Sequence, residues 1–540
     1  MKQTLAFFLI LAAGCLLAQP ATEMVPMRDG VKLATDIHLP PGKGPWPVVL
    51  VRTPYGKTKK PMAPDAYPDP WIADGYAFVE QDWRGLYKSE GKFTVVSFTG
   101  VQNGQDGYDT VEWIARQPWC NGKVGMVGGS GPGIAAKQAI VENPPHMVAA
   151  FTNFASMFPG DYEFYHGGVA VSHSDSWLSG QGASVPKWPK PRTYELLFHA
   201  PSINWPPDHG KEAAVGKRIA LLDNGGWYDT FNPSTVDDFM AMQSPSSRMV
   251  MGARGHDKMT GSLKYPPQQL PLDSPQAWFD HWLKGVDKGV MATPPILYFL
   301  MGDTMRKGAP GNVWKQAERW PIPNRPTSYY LAKDGSLRLI SPAAESDSLT
   351  YAYDPKNPVP TIGGNNAGEN KGPMDQRKLA DRSDILRFQT EPLAEPVEIT
   401  GKVLAELYVN ADVPDTTVMA KLIDIHPNGY QALVLDNTIM ARYHDGSYKA
   451  APLEKGKVYK LSIDLWNTAL VFDKGHRIAF HIAGSNSPRY EVHPNSYRPV
   501  DSYANAPVAH VSVEMSTGRA SRLILPVIAK GVSKDWAPGR

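Results

Sequence analysis

The stretch Gly125-Met126-Val127-Gly128-Gly129-Ser130-Gly131-Pro132-Gly133 runs short apolar residues into a serine flanked by glycines. That composition suits a sharp turn between a strand and a helix. Only small neighbours let the backbone pass so closely, and the strained turn holds Oγ clear of the sheet. A serine hydroxyl is a weak nucleophile until a base takes its proton. His256, in Gly252-Ala253-Arg254-Gly255-His256-Asp257, can take that proton and later give it to a leaving group. Asp229, in Gly225-Gly226-Trp227-Tyr228-Asp229, can fix the imidazole tautomer and stabilise the imidazolium. The backbone N–H of Gly131 is a donor for a transient oxyanion. Pro132 cannot donate, but in a first helical turn it leaves no bond missing. The order Ser, Asp, His is that of an α/β-hydrolase, and the chemistry is acyl transfer to water.

Read on residues alone, these assignments have rivals. His166, His199, His209 and His281 compete with His256, and Asp223 and Asp257 with Asp229. The glycine-flanked serine also fits a plain tight turn or a phosphate loop, although no lysine follows the glycines as a nucleotide loop requires. His166 and Asp161 suggest a metal pair, but no third ligand stands at recognisable spacing. No metal and no cofactor is implied.

The elements that must position these groups alternate between strand and helix. Asp29-Gly30 reads as the turn of a hairpin spanning Met27 to Leu39. Strands are expected at Pro47–Arg52, Tyr76–Gln81, Val124–Val127, Val148–Phe154, Arg218–Leu222 and Ser247–Gly252. Helices are expected at Asp106–Arg116, Ile134–Glu142 and Ala277–Leu283. This rhythm predicts a mainly parallel sheet with both faces covered. Residues 155–215 break it with Trp, Tyr, His, Pro and Gly, as an insertion over the C-terminal strand ends would. After Pro294 short strand-like segments begin at Ile296–Met301 and recur to Arg477–Ile482, which predicts a β-sandwich of jelly-roll type.

The 540 residues require more than one domain, and 42% hydrophobic residues allow large cores. A net charge of +2 without a basic block gives no support to a nucleic-acid partner. Lys2 followed by the apolar run Thr4–Leu17 reads as an export signal, too short to span a bilayer comfortably. Cleavage near Ala18 or Ala21 releases a periplasmic or extracellular protein. Leu11-Ala12-Ala13-Gly14-Cys15 resembles a lipoprotein box, with Cys15 as the lipidated residue and a lipid anchor as the one route to a membrane. Once the signal is removed, Cys120 stands alone and no internal disulfide can form. The expected organisation is a signal over 1–21 (1–14 for a lipoprotein), hydrolase segments over 22–154 and 216–292, a helical cap over 155–215, and a jelly-roll over 293–540. The sequence leaves the oligomeric state open, a homo-oligomer included.

Several ordered motifs carry a family resemblance: Met27-Arg28-Asp29-Gly30-Val31-Lys32-Leu33, Arg52-Thr53-Pro54-Tyr55, Gln81-Asp82-Trp83-Arg84-Gly85, Ser89-Glu90-Gly91 with Phe93, Asp106-Gly107-Tyr108-Asp109-Thr110, the serine turn, Gly226-Trp227-Tyr228-Asp229, Gly255-His256, Gly475-His476-Arg477-Ile478 and Ser485-Asn486-Ser487-Pro488-Arg489. With these the chain resembles the Xaa-Pro dipeptidyl-peptidase-like acyl hydrolases, a family that includes bacterial cocaine esterase, glutaryl-cephalosporin acylases and α-amino-acid ester hydrolases. The resemblance implies a Ser130–Asp229–His256 triad and makes the Tyr55 hydroxyl the second oxyanion donor beside the Gly131 amide. It also implies a hydrolase domain, a helical cap and a C-terminal jelly-roll.

The chain departs from the family at two places. Gly131 stands where family turns usually carry Tyr. Phe231 and Asn232 stand where α-amino-acid ester hydrolases place carboxylates for the substrate ammonium. The cap segment Gly160–Gly168 resembles theirs, so Asp161 or Glu163 could supply a charge. The expected acyl pocket is apolar or aromatic, drawing on Trp227, Phe231, Tyr165 and His166 with Asp161 and Glu163. The expected activity is hydrolysis of esters or amides of small acyl substrates, short peptides among them, through an acyl-enzyme. Xaa-Pro dipeptidyl-peptidase or α-amino-acid ester hydrolase activity is the alternative within this chemistry. A non-catalytic carbohydrate-binding protein is the alternative outside it.

Overall fold

The computed structural model describes residues 20–57, 67–94, 101–158, 165–181, 218–242, 244–256, 258–266, 268, 272–368, 370–446, 449–498 and 503–537. Residues 1–19 of the expected export signal, Asp161, Glu163, His199, His209 and Asp257 lie outside the described residues. Among the described residues no helix is long and apolar enough to cross a membrane.

Ten strands build the first large sheet: β1 (Ala21–Pro26), β2 (Lys32–His38), β3 (Trp46–Thr53), β4 (Ala77–Asp82), β5 (Cys120–Gly129), β6 (Met147–Asn153), β7 (Ala220–Gly226), β8 (Arg248–Gly252), β9 (Ile296–Leu300) and β10 (Val313–Ala317). Their order is β1-β2-β4-β3-β5-β6-β7-β8-β9-β10, with the two-residue strand Lys534–Asp535 beyond β10. The pairs from β4–β3 through β8–β9 are parallel, and both edges are antiparallel. Both faces of the central strands are covered, so their first halves are apolar on both sides, while Gln81, Asp82, Asp223 and Asn224 stand toward their C-terminal ends. Val48 and Leu50 of β3 join Val79, Met126 and Ala150 on one face, while Val49 and Val51 join Phe78 and Phe151 on the other. Helices Val101–Ala115 and Gly131–Glu142 cover the first face with Val111, Ile114, Ala136, Ala139 and Ile140. Helices Pro68–Ala73 and Pro275–Phe279 cover the second with Trp71, Trp278 and Phe279.

Two expectations need correction. The first hairpin arm is the whole of β1, paired from Ala21↔Ile37 to Pro26↔Lys32. Its start coincides with residues read as the end of the signal. The segment Ile296–Met301 was expected to open the sandwich, but Ile296–Leu300 is β9, paired in parallel with β8. An isolated apolar strand looks the same in either setting, because both bury its two faces.

The β-sandwich follows. One sheet orders Arg325–Leu331, Arg522–Val527, Val397–Ala411, Ala509–Ser516 and Ser348–Tyr353, and Tyr459–Phe472 also pairs with Val397–Ala411. The other orders Leu386–Gln389, Arg477–Ala483, Thr417–Ile425 and Gln431–Met440. Its core (Leu407, Leu422, Leu461 and Phe480 among others) is continuous with Trp227, Met249, Met251 and Tyr298 of the α/β sheet. Backbone bonds reinforce this junction: Met301 N–H donates to Ala469 O at 2.9 Å, and Val471 N–H to Met301 O at 2.9 Å.

Within the insertion, a hairpin (Tyr165–His166 with Val169–Ala170) leads into the helix Ser172–Gly180. The hairpin packs on the sandwich through Val169 and Val171 against Met419, Met440 and Tyr490. Met440 N–H donates to Gly167 O at 2.8 Å and Ser172 N–H to Arg489 O at 3.0 Å.

Candidate active site

Ser130 lies between the end of β5 and the helix Gly131–Glu142, at φ +55° and ψ −127°. A non-glycine residue is strained there and stays only when its surroundings hold it. Two bonds do so: Ser130 N–H donates to Asn153 O at 2.9 Å, and Ser130 O accepts from Ile134 N–H at 2.9 Å. Gly128 and Gly131 are sterically required, whereas Gly129 has room for a Cβ. A Cβ at Gly128 would lie 2.5 Å from Pro132 Cβ, and one at Gly131 would lie 2.6 Å from Pro54 Cγ.

Asp229 and His256 follow β7 and β8, two adjacent parallel strands whose loops are stitched together. Trp227 N–H donates to Gly252 O at 2.9 Å and Tyr228 N–H to Arg254 O at 3.0 Å. His256 Nδ1 is 2.9 Å from Asp229 Oδ2, and its Nε2 is 3.2 Å from Ser130 Oγ. The second Asp229 oxygen accepts from Phe231 N–H at 2.7 Å. The carboxylate is fully buried, whereas the imidazole is 20% exposed. The rings of Phe154 and Phe231 flank the imidazole at 5.4 and 5.7 Å. A carboxylate, an imidazole and a hydroxyl in series can pass the hydroxyl proton to the ring nitrogen while the carboxylate holds the opposite tautomer.

On the other side of Ser130 Oγ stands the Tyr55 hydroxyl, 3.4 Å away. Its loop is braced by Tyr55 N–H donating to Thr53 Oγ1 at 3.0 Å, and its ring meets Trp177 edge-on at 6.3 Å. Trp177 and Phe231 belong to one packed hydrophobic cluster that also holds Trp83, Phe93, Phe154 and Tyr165. Arg254 lies over the Phe154 ring, its guanidinium carbon 4.5 Å from the centroid, and burial pulls its pKa down to about 10.

The sequence-predicted residues sort as follows. Ser130, Gly131, Asp229, His256, Tyr55, Phe231 and Tyr165 are brought together. Trp227 is not: it is fully buried at the sheet–sandwich junction and donates its indole N–H to Phe299 O at 2.8 Å. His166 is 2% exposed, with Nδ1 2.8 Å from the Tyr490 hydroxyl and its ring against Trp466. Trp227 reads as a pocket residue because an aromatic in a loop after a strand looks open until its packing partner is known, and His166 because its cap segment resembles that of the family. Asp161 and Glu163 lie outside the described residues. Asp223, a rival of Asp229, is used elsewhere: Lys137 Nζ donates to it at 2.6 Å and Thr152 Oγ1 at 2.7 Å. Phe154, Trp177 and Arg254 were missed. Only the aromatic richness of the insertion pointed toward Trp177.

Residues 29–200 match the family model for X-Pro dipeptidyl-peptidase (S15 family), and residues 288–524 the model for the X-Pro dipeptidyl-peptidase C-terminal non-catalytic domain. The cocaine esterase of a Rhodococcus species is 32% identical over 543 residues, which cover 88% of this chain and 92% of that one. The chain belongs to the X-Pro dipeptidyl-peptidase (S15) family of hydrolases, together with that cocaine esterase. Membership makes it an enzyme of serine-hydrolase type. Two solved structures share the fold of this chain over nearly the full length. An aminopeptidase from a marine-sediment Thaumarchaeota archaeon superposes with TM-score 0.76 at 23% identity, over 98% of this chain and 99% of its own. An α-amino-acid ester hydrolase superposes with TM-score 0.74 at 24% identity, over 94% and 96%.

Proposed function

We propose that this protein is a serine esterase that also cleaves activated amides, acting on small apolar or aromatic acyl groups through a covalent acyl-enzyme. The observation that carries this reading is the hydrogen-bonded series Asp229–His256–Ser130 at a strained turn, with the Tyr55 hydroxyl on the far side of Oγ. His256 Nε2 takes the Ser130 proton as Oγ attacks the carbonyl carbon. Asp229 holds Nδ1–H and stabilises the imidazolium. The Gly131 amide and the Tyr55 hydroxyl receive the oxyanion. His256 then protonates the leaving group, and in the second half it activates the water that releases the acid.

The aromatic cluster around the serine favours an uncharged acyl group. Phe231 offers no charge. Asn232 spends its amide within the fold, donating to Trp227 O at 2.9 Å and Asn467 O at 2.8 Å, so neither residue anchors a substrate ammonium. The name of the Rhodococcus relative supports an ester substrate. The leader read in residues 1–21 would place the activity outside the cytoplasm.

Matched p-nitrophenyl esters and p-nitroanilides, each with a blocked or a free α-amine, test this. Blocked aromatic or short-chain esters are expected to give the highest kcat/KM. A preference for free-amine Xaa-Pro anilides would overturn the esterase reading and make the enzyme a dipeptidyl-peptidase.

A further inference from the structure

Away from Ser130, at the seam between sheet and sandwich, three buried side chains converge. Asp303 stands three residues beyond the end of β9, in the loop toward β10. His426 directly follows the strand Thr417–Ile425, and His476 directly precedes Arg477–Ala483. These two strands pair with Ile425 opposite Arg477, so the register sets the histidines side by side at the strand ends. Their rings lie 4.3 Å apart. None of the three side chains is more than 5% exposed.

The distances do not describe an ordinary ion-pair cluster. Asp303 Oδ1 is 3.4 Å from His426 Nδ1, and Asp303 Oδ2 is 3.4 Å from His476 Nε2. A charge-assisted N–H···O bond closes to about 2.7–2.9 Å. With metal–ligand bonds of about 2.1 Å, two ligands of a tetrahedral ion stand about 3.4 Å apart. His426 Nδ1 is buried and makes no hydrogen bond. Behind the rings sits a second carboxylate. Asp424 Oδ1 lies 2.8 Å from His476 Nδ1, and Asp424 Oδ2 lies 3.5 Å from His426 Nε2. A carboxylate on the far nitrogen is how metal-binding histidines are oriented, since it fixes the proton there and leaves the near nitrogen's lone pair for the ion; Asp424 does this for His476, and it faces His426 Nε2 beyond hydrogen-bond length. Met305 N–H, at 2.7 Å from Asp303 Oδ1, holds the front carboxylate in place.

We propose that Asp303, His426 and His476 bind one divalent transition-metal ion of the zinc type, with Asp424 as the positioning carboxylate behind the His476 imidazole. Two nitrogens and one carboxylate are a borderline donor set that suits zinc better than magnesium or calcium. Three protein ligands leave a fourth position, which a water would fill, and the buried site joins a loop of the α/β sheet to two sandwich strands. Its role is to clamp the two halves together, apart from the hydrolytic chemistry.

The test uses the mature full-length chain without a histidine tag, stripped with chelator and then titrated with zinc chloride. Metal analysis after gel filtration is expected to give one zinc per chain. Cobalt chloride is expected to give the visible bands of a tetrahedral ion. His426→Gln and Asp303→Asn should each weaken zinc binding at least about tenfold. Reaction of Ser130 with a fluorophosphonate shows that each variant is folded. The proposal fails if the wild-type chain retains no zinc and gives no cobalt bands, or if both folded variants bind zinc as wild type does. In that case the cluster is held together by protons alone.

Discussion

At position 131 a tyrosine of the usual family kind has no room. A Cβ there would press on the Pro54 ring and come within 3.1 Å of the Tyr55 hydroxyl. Glycine therefore lets the Pro54–Tyr55 loop close on Ser130, and the small residue and the tyrosine hydroxyl form one device. Tyr55→Phe is expected to lower kcat by about 10²-fold, the cost of one oxyanion donor. Gly131→Ala should also lower kcat, by displacing Tyr55. The double variant should then be no slower than Tyr55→Phe alone, because the two changes remove the same interaction. Steady-state kinetics on one ester decide it, and additive losses would separate the two residues. Asp229→Asn is expected to cost about 10⁴-fold in kcat through the wrong imidazole tautomer, with little change in KM. Ser130, Asp229 and His256 stood out as candidates because each sits just past an apolar strand, where a parallel sheet presents its loops, whereas the role of Tyr55 came only from the family resemblance. The aromatic surroundings of His256 were not legible, since Phe154 differs from any strand-end aromatic only in what the fold sets beside it.

Among elements, the sandwich strand Arg477–Ala483 carries a buried cross-strand pair, His481 opposite Lys421. Burial, with the positive charges of Arg387 and Lys421, drops the His481 pKa to about 3. The unfolded chain protonates this histidine near its ordinary value of about 6.5. Between these values the unfolded state binds more protons, so stability is lost as pH falls from about 6.5 toward 3. At pH 5 the loss from this residue is about 2 kcal/mol. Denaturant unfolding of wild type and His481→Leu at pH 7 and pH 5 is expected to show the wild type losing about that much more. Equal losses would contradict it. Strand and helix positions followed from apolar period, with ends moved by a residue or more: the helix expected from Asp106 starts at Val101, and the strand expected over Val124–Val127 spans Cys120–Gly129. Sheet membership was not legible, as β9 shows, because hydrogen-bond partners are chosen in three dimensions.

For the whole molecule, the sandwich is part of what positions the candidate active site. The loop carrying Asp229 is held from the sandwich side by Asn232 Nδ2 donating to Asn467 O at 2.8 Å, by Asn365 Nδ2 donating to Trp227 O, and by the Tyr228 hydroxyl donating to Leu433 O at 3.2 Å. A change from helix–strand alternation to short strands separated by Gly, Pro and Asn revealed two architectures in the sequence. It could not show that their cores fuse, nor that Asp303 meets His426 and His476, since residues so far apart in sequence leave no spacing signature. The central claim is that Ser130 carries the acyl group. It is tested most directly by quenching turnover of a p-nitrophenyl ester with acid and measuring the mass of the intact chain and of its Ser130 peptide. The account predicts one acyl group on Ser130 in the wild type and none in Ser130→Ala, which keeps the fold and loses turnover. An unmodified Ser130 peptide during turnover, or undiminished hydrolysis by Ser130→Ala, would contradict it.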